Sequence, residues 1–363
     1  MFRISYMDIT LRPQWDVGPP GGPHIDSTAL LALLAGVQDT GSLAQAARGV
    51  GQSYRHAWGL VKAAEAVFGA PLIASDRGRG SALTELAHKL LWADRRIAAR
   101  LSPLLESLAS ELARDLDRSL VPTRAAVRID ASHGFAVARL MELMHAAELP
   151  VELRYRNSLE SVAALARGDC DLAGLHVPIG EFEAHTLQRY LRWLRADTHC
   201  LVHVAVRTQG LFVARDNPKQ VRGLADLRRG DLRFVNRPQG SGTRVLTELL
   251  LEREGIAPSE VPGYADTELT HAAVAAYIAS GMADVGIGVQ TAAQRFGLHF
   301  IPLLRERYFF ALRIAARDQP HVRPVLAMLE SPASRAAIAA IAGYHAAETG
   351  RVQRLSEAFE TLR

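Results

Sequence analysis

Glycine punctuation divides the first third of this chain, and a different rule takes over near residue 118. From 26 to about 84 the residues read as three short helices, each followed by a glycine (Gly41, Gly51, Gly69), and then a Gly/Arg-tipped hairpin. Beyond 118, short apolar strands alternate with helices. Such a change of period requires separate modules, because a helical cluster and a strand–helix layer bury their apolar faces differently. A length of 363 residues fits two or three domains at roughly 150 residues each.

Residues 1–25 read as a strand, Phe2 to Leu11, and a Pro/Gly loop. Asp26 or Ser27 can cap the first helix, in which Leu30, Leu31, Leu33, Leu34 and Val37 are apolar and which Gly41 can end in the left-handed conformation. Ser42 caps a second helix, Leu43–Val50, and Ser53 a third, Tyr54–Phe68. This is a helix-turn-helix pattern, with Ala46, Ala47, Ala57, Trp58 and Val61 expected in its core. Pro71 to Leu83 reads as a β-hairpin wing. Thr84 then caps a long helix, on which Leu86, Leu90, Ile97, Leu101, Leu104, Leu108 and Leu112 form a narrow stripe. That stripe is expected to pair two copies of the chain. Packing on its own domain is the competing expectation.

Charge supports a distinct role for this module. The whole chain carries +4, with Lys+Arg 42 against Asp+Glu 38. Residues 48–100 hold nine basic residues and four acids, so this segment alone carries +5. A local positive excess is the footprint of nucleic-acid binding. Ser42, Ser53, Tyr54, Arg55 and His56 are the candidate DNA contacts on the helices, with Arg77 and Arg79 on the wing. Arg55 can fork onto a guanine, Ser53 and free amides can hold phosphate, and the wing arginines can reach backbone or minor groove. His56 reads equally well as plain surface, and Lys62 and Lys89 as solvated charges.

The string Gly41-Ser42-Leu43-Ala44-Gln45-Ala46-Ala47-Arg48, continuing through Ser53-Tyr54-Arg55-His56-Ala57-Trp58, resembles the helix-turn-helix of LysR-type regulators. It is closer still to that of molybdate-responsive repressors, as are the Gly/Arg wing and Leu83-Thr84-Glu85-Leu86-Ala87. The resemblance covers residues 26 to about 115.

In the second part, strands are predicted at Ala126–Ile129, Val151–Tyr155, Asp171–Leu175, Leu211–Val213, Asp231–Val235 and Ala283–Ile287. Helices are predicted at Phe135–Ala147, Leu159–Arg167, Thr243–Glu254, His271–Ser280 and Pro324–Ala347. The alternation implies an α/β domain with a mostly parallel sheet. Two such sets imply two lobes around a cleft: lobe I about 119–206 and 306–363, lobe II about 207–305. The expected domains are thus 1–25 strand and loop, 26–84 winged helix-turn-helix, 85–118 dimerisation helix and 119–363 effector domain.

One turn within that domain carries ligand chemistry. Asn236-Arg237-Pro238-Gln239-Gly240-Ser241-Gly242-Thr243-Arg244 joins a strand to a helix, whose free amides and dipole attract anions. It is neither a Walker loop nor a nucleophile elbow. Asn236, Arg237, Ser241, Gly242, Thr243 and Arg244 are candidate effector ligands, with Ser132 and His133 after an earlier strand, His176, Gln209, and Thr270 and His271 opening a later helix. Each serine and threonine can equally be a plain helix cap, and each arginine a surface ion-pair partner.

The longer string Phe234-Val235-Asn236-Arg237 with Gly240-Ser241-Gly242-Thr243-Arg244 resembles cytoplasmic regulators that fuse a helix-turn-helix to a periplasmic-binding-protein-like domain. Ser280-Gly281-Met282-Ala283-Asp284-Val285-Gly286 resembles a step common to type II binding proteins. The resemblance covers about 125–345 and implies molybdate, tungstate or a formate-like anion as effector. It also implies an association with molybdoenzyme systems such as formate dehydrogenase.

The expectation is a one-component transcriptional regulator that binds double-stranded operator DNA as a homodimer or homotetramer under control of a small anion. A DNA-free anion-binding protein and an enzyme acting on an anion are the alternatives. No nucleophile–base pair, cofactor or metal motif is found; His199, Cys200 and His203 read as buried strand residues. Two cysteines, Cys170 and Cys200, point to a reducing, cytoplasmic setting. No long apolar run indicates a membrane span, and no apolar leader a signal peptide.

Overall fold

The computed structural model describes residues 9–22, 24–76, 80–120 and 126–359. It divides within one long helix into two compact units, Arg12–Leu101 and the described chain from Ser102 onward, which also takes in residues 9–11.

The first unit opens with β1 (Asp16–Val17) antiparallel to β2 (Ile25–Asp26). No strand runs through Ile9–Leu11, and the rest of the strand expected over Phe2–Leu11 lies outside the described residues. The three helices follow: α1 (Ser27–Thr40), α2 (Leu43–Gly49) and α3 (Tyr54–Phe68). Their caps are local hydrogen bonds. Asp26 Oδ1 accepts from Thr28 N at 2.7 Å, Ser42 Oγ from Gln45 N at 3.4 Å, and Ser53 Oγ from His56 N at 3.2 Å. A hairpin, β3 (Ile73–Asp76) and β4 (Gly80–Leu83), comes next; Arg77 and Arg79 at its tip lie outside the described residues. Its stem is tied to the α1–α2 turn, because Ser81 N donates to Gly41 O at 2.8 Å. Gly80 must be glycine there: its φ is +88°, and a Cβ would sit 2.7 Å from the same carbonyl oxygen.

Leu30, Leu33, Leu34, Ala46, Ala57, Val61 and Leu72 form the buried core of this unit. Trp58 is not part of it. The inward stripe of α3 is Ala57, Val61 and Ala64, and Trp58 lies about 100° round the helix from Ala57. It is 39% exposed, stacks on the 53% exposed Tyr54 with centroids 6.2 Å apart, and carries the Lys62 ammonium 4.6 Å above its ring. Lys62 is therefore more than a solvated charge: it also bonds Glu65 at 2.6 Å. Burial would raise the Glu65 carboxyl, but Lys62 and the Leu72 and Ile73 amides hold it below its usual value.

Helix α4 (Glu85–Leu120) continues from the first unit into the second. Lys89 pairs with Glu85 at 2.7 Å, both exposed. Leu86 and Leu90 pack on the helix-turn-helix core, so the exposed stripe starts further along. It consists of Leu101, Leu104, Leu108, Leu112 and Leu116, each 37–57% exposed.

The second unit contains β5 (Val127–Ala131), α5 (Phe135–Ala146), β6 (Val151–Tyr155), α6 (Ser158–Arg167), β7 (Leu172–Pro178) and α7 (Glu183–Leu191). Then come β8 (His199–Val213), β9 (Phe234–Val235), α8 (Gly242–Arg253), α9 (His271–Ala279), β10 (Val285–Val289), α10 (Gln290–Arg295) and β11 (His299–Arg313). It closes with α11 (Arg323–Glu330), α12 (Pro332–Ala339), β12 (Tyr344–His345), β13 (Val352–Arg354) and α13 (Leu355–Ala358). Among the described residues nine strands form one sheet, in the order β6-β5-β7-β11-β8-β10-β9, with β12 and β13 also on β8.

This sheet is mixed, not mostly parallel as predicted. Parallel pairs lie at its two ends, and the 15-residue strands β8 and β11 run antiparallel to each other and to β7 and β10 between them. The chain leaves the first set through β8 and returns through β11, which forces opposite directions. Separate cores flank the ends, one around Ile129, Leu140, Val202 and Phe310, another around Leu211, Phe234, Leu250 and Ile287. The strand expected at Asp231–Val235 is only Phe234–Val235. The helix expected at Pro324–Ala347 is broken at Ser331, which caps α12 ahead of Pro332, and its end forms β12. Sheet edge β6 is covered by α4, whose Ser110 and Ser107 hydroxyls accept from Leu153 N at 3.0 Å and Tyr155 N at 3.2 Å.

Candidate functional site

The two long strands carry charged residues into an apolar layer, and those residues define the site. Arg207 on β8 and Glu306 on β11 are 99 positions apart in sequence, yet Arg207 Nε donates to Glu306 Oε1 at 2.5 Å with both side chains buried. Gln209, two residues along β8, donates through Nε2 to the same carboxylate oxygen at 3.0 Å and to Thr243 Oγ1 at 3.1 Å. Burial works against the Arg207 cation, but Glu306 and Tyr344 beside it raise its pKa overall.

Four helices begin around this pair. Gly134 precedes α5, and a Cβ there would lie 3.7 Å from Arg207 Nη1. Ser158, first in α6, has its hydroxyl 3.4 Å from His176 Nδ1. Thr243 in the first turn of α8 receives Gln209, and His271 is the first residue of α9. These helices are 12, 10, 12 and 9 residues long, so each contributes free amides and the positive end of its dipole.

Two buried histidines complete the surroundings. His176 lies flat on Tyr308 with centroids 4.2 Å apart. Burial, then the Arg207 charge, pushes its pKa well below normal. Burial, then Arg237 and Arg207, does the same to His271. Both rings are therefore neutral in the fold, whereas the unfolded chain takes up protons near pH 6.5. Their contribution to stability is complete above that pH and is lost as pH falls below it. The urea midpoint is expected to drop between about pH 7.5 and pH 5, and His271→Gln to flatten the slope. A midpoint constant over that window would show that these rings take up protons in the fold as readily as in the unfolded chain.

Arg237 differs from the other cations nearby. Its Nη2 donates to Leu269 O at 2.7 Å and its buried Nε has no partner. No carboxylate lies within ion-pair distance among the described residues. Burial, then Arg207, pushes its pKa down to about 10. An uncompensated guanidinium, Arg207 and four helix amino ends together make a place that favours negative charge.

The structure thus gathers His176, Gln209, Arg237, Gly242, Thr243 and His271 around Arg207 and Glu306. Other candidates have local tasks. Ser241 caps α8 through Arg244 N at 3.1 Å, and Thr270 caps α9 through Ala273 N at 2.9 Å. Asn236 accepts from Arg237 N at 2.9 Å and shapes the turn. Arg244 pairs with Glu248 at 2.8 Å and lies 4.2 Å over Tyr264. Ser132 stays between β5 and α5, partly exposed. His133 meets Glu106 of α4 at 3.3 Å and the edge of Tyr155. Sequence reasoning missed Arg207, Glu306, Ser158 and Tyr308; for Arg207 and Glu306 the available signal was charge inside otherwise apolar strands. Among the described residues no group of three or more His, Cys, Asp or Glu is placed to hold a metal, and no helix is long and apolar enough to cross a membrane. On the first unit, Tyr54, Arg55, His56 and Ser53 are all exposed at the start of α3, and Ser42 is half-buried as the α2 cap.

The sheet is thus mixed and joined through two long antiparallel strands, with polar side chains gathered where they pair. The chain belongs to the PBP superfamily, whose domain matches residues 140–330. It is similar to the uncharacterised protein YvgK of Bacillus subtilis, 36% identical over 199 residues, 55% of this chain and 64% of that one. The chain therefore spans under two thirds of that relative's length. It is also similar to the molybdenum-pterin-binding protein MopB of Rhodobacter capsulatus, 36% identical over 110 residues, 29% of this chain and 40% of that one. Among solved structures, an H2O2-bound OxyR mutant of Corynebacterium glutamicum aligns at a TM-score of 0.43 and 15% identity, over 86% of this chain and 93% of that one.

Proposed function

We propose that this chain is a one-component transcriptional regulator in which the sheet unit binds a small anion and the helix-turn-helix unit binds operator DNA. The observation that carries the DNA role is the outer face of α3. Tyr54, Arg55, His56, Trp58 and Lys62 are all exposed there, an aromatic and basic surface of which only Lys62, through Glu65, also serves the fold. The α4 leucines favour pairing of two copies, which matches a two-fold operator. The gathering of Arg207, Arg237 and four helix amino ends supports the anion, with molybdate, tungstate and formate as the candidates; one relative, MopB, is named for binding a molybdenum pterin. No catalytic step is assigned to the site, and soluble, cytoplasmic residence is part of the proposal.

Fluorescence anisotropy against the upstream genomic region tests it. Arg55→Ala is expected to cost about 1–3 kcal/mol of specific binding and relax selectivity at one base position. Tyr54→Ala and Trp58→Ala are expected to weaken DNA binding while leaving the melting curve nearly unchanged, since both rings are exposed. Salt-insensitive or absent binding by the intact protein would refute the regulator.

A further inference from the structure

The anion reading leaves open what else the occupant must carry, and the cavity wall at Glu306 bears on that. A cavity of about 30 Å³ lies between the start of α6, β7 and the start of α8, with Ser158, His176, Gly242 and Glu306 in its wall. It has room for about two waters or a small chemical group. Both hydrogen bonds that Glu306 accepts, from Arg207 and Gln209, go to Oε1. A carboxylate in the wall of an anion site is an acceptor, and it repels any oxygen that has no proton to give.

Gln209 adds a second acceptor. Its amide orientation is forced, because Nε2 faces a carboxylate oxygen that can only accept. The amide oxygen Oε1 is consequently fixed, fully buried and without a donor partner. His176 Nε2, on a side chain 6% exposed, is likewise unpartnered in the cavity wall. A site for a fully deprotonated oxyanion presents donors alone. Here the cations stand beside a carboxylate whose Oε2 accepts no side-chain or backbone bond among the described residues and a buried amide oxygen without a donor partner, and an incoming O–H or N–H can serve both.

We infer that the occupant is a small anion bearing its own hydrogen-bond donor, such as a hydroxycarboxylate or a protonated oxyanion, and that Glu306 with Gln209 selects for that donor. The inference rests on the anion reading of the same site. It narrows that reading away from molybdate, tungstate and formate, which have no proton to donate at neutral pH.

Matched probes separate the two ideas. The intact chain is titrated calorimetrically with glycolate against acetate, two monoanions differing by a hydroxyl. Phosphate against sulfate, at a pH where phosphate retains a proton, gives tetrahedral ions differing by that proton. The donor-bearing member of at least one pair is expected to bind about 10- to 100-fold more tightly, the difference that one unmatched buried acceptor makes. Glu306→Gln, whose amide can also donate, is expected to shrink that ratio at least several-fold. If the variant does not fold, the comparison on the unaltered chain still decides. Acetate, sulfate or molybdate binding as tightly as the donor-bearing ions would overturn donor selection and leave the anion site standing. If no anion binds, the anion reading itself falls.

Discussion

Glu306→Ala is expected to destabilise the sheet unit by about 3–5 kcal/mol, the largest loss from any single polar truncation in this site. The reason is what remains. Arg207 is nearly fully buried and its Nε is bonded to the carboxylate being removed, so the variant keeps an uncompensated cation between β8 and β11. Gln209 Nε2 loses the same acceptor and keeps only Thr243. Removing both charges together reverses the sign of the argument. A double variant, Arg207→Met with Glu306→Leu, has no stranded charge and is expected to regain most or all of the lost stability, because a buried ion pair contributes little net over apolar packing. Added acetate should also stabilise Glu306→Ala more than the parent, by seating a carboxylate beside Arg207 and binding only the folded state. Urea midpoints on the three proteins, with and without acetate, check this. A Glu306→Ala midpoint equal to the parent's would mean that water reaches Arg207 freely.

That pair also shows where the sequence stops being informative. Local chemistry was legible: Ser42, Ser53 and Thr270 sit where their hydroxyls cap the predicted helices, because capping is decided within four residues. The βαβ order of 126–175 was legible from alternating apolar runs. Strand β11 was not. Its charges at Arg305, Glu306 and Arg307 and its Pro302 break the apolar pattern, and the register against β8 slips between Pro302 and Leu304. Without β11, neither the antiparallel pair nor the meeting of Arg207 with Glu306 follows from local pattern. Trp58 failed for a simpler reason: a large aromatic suggests a core, whereas the neighbouring stripe of Ala57, Val61 and Ala64 had already settled which side of α3 faces inward. The candidate site was half legible. Residues at the starts of α8 and α9 were found, whereas Ser158 at the start of α6 and the residues supplied by β8 and β11, Gln209 excepted, were not.

Arg237→Leu is expected to separate binding from stability. In the absence of ligand the variant should be as stable as the parent or slightly more so. The arginine makes one side-chain hydrogen bond, to Leu269 O, leaves its buried Nε unmatched, and holds its charge against burial and against Arg207. A cation kept under those conditions has a cost to the fold that an apolar side chain of similar reach does not. The anion should register the loss. A charge-assisted bond contributes about 1.5–3 kcal/mol, so affinity for whichever anion the parent binds should fall roughly 10- to 150-fold. Arg237→Lys keeps a positive charge without the forked geometry and should recover only part of it. Paired melting curves with and without anion read both effects from one experiment. A variant that melts earlier yet binds the anion undiminished would make Arg237 a clamp on the 266–270 segment and move the charge-bearing role to Arg207 alone. Stability gained where binding is lost is the expected signature of a residue kept for its ligand.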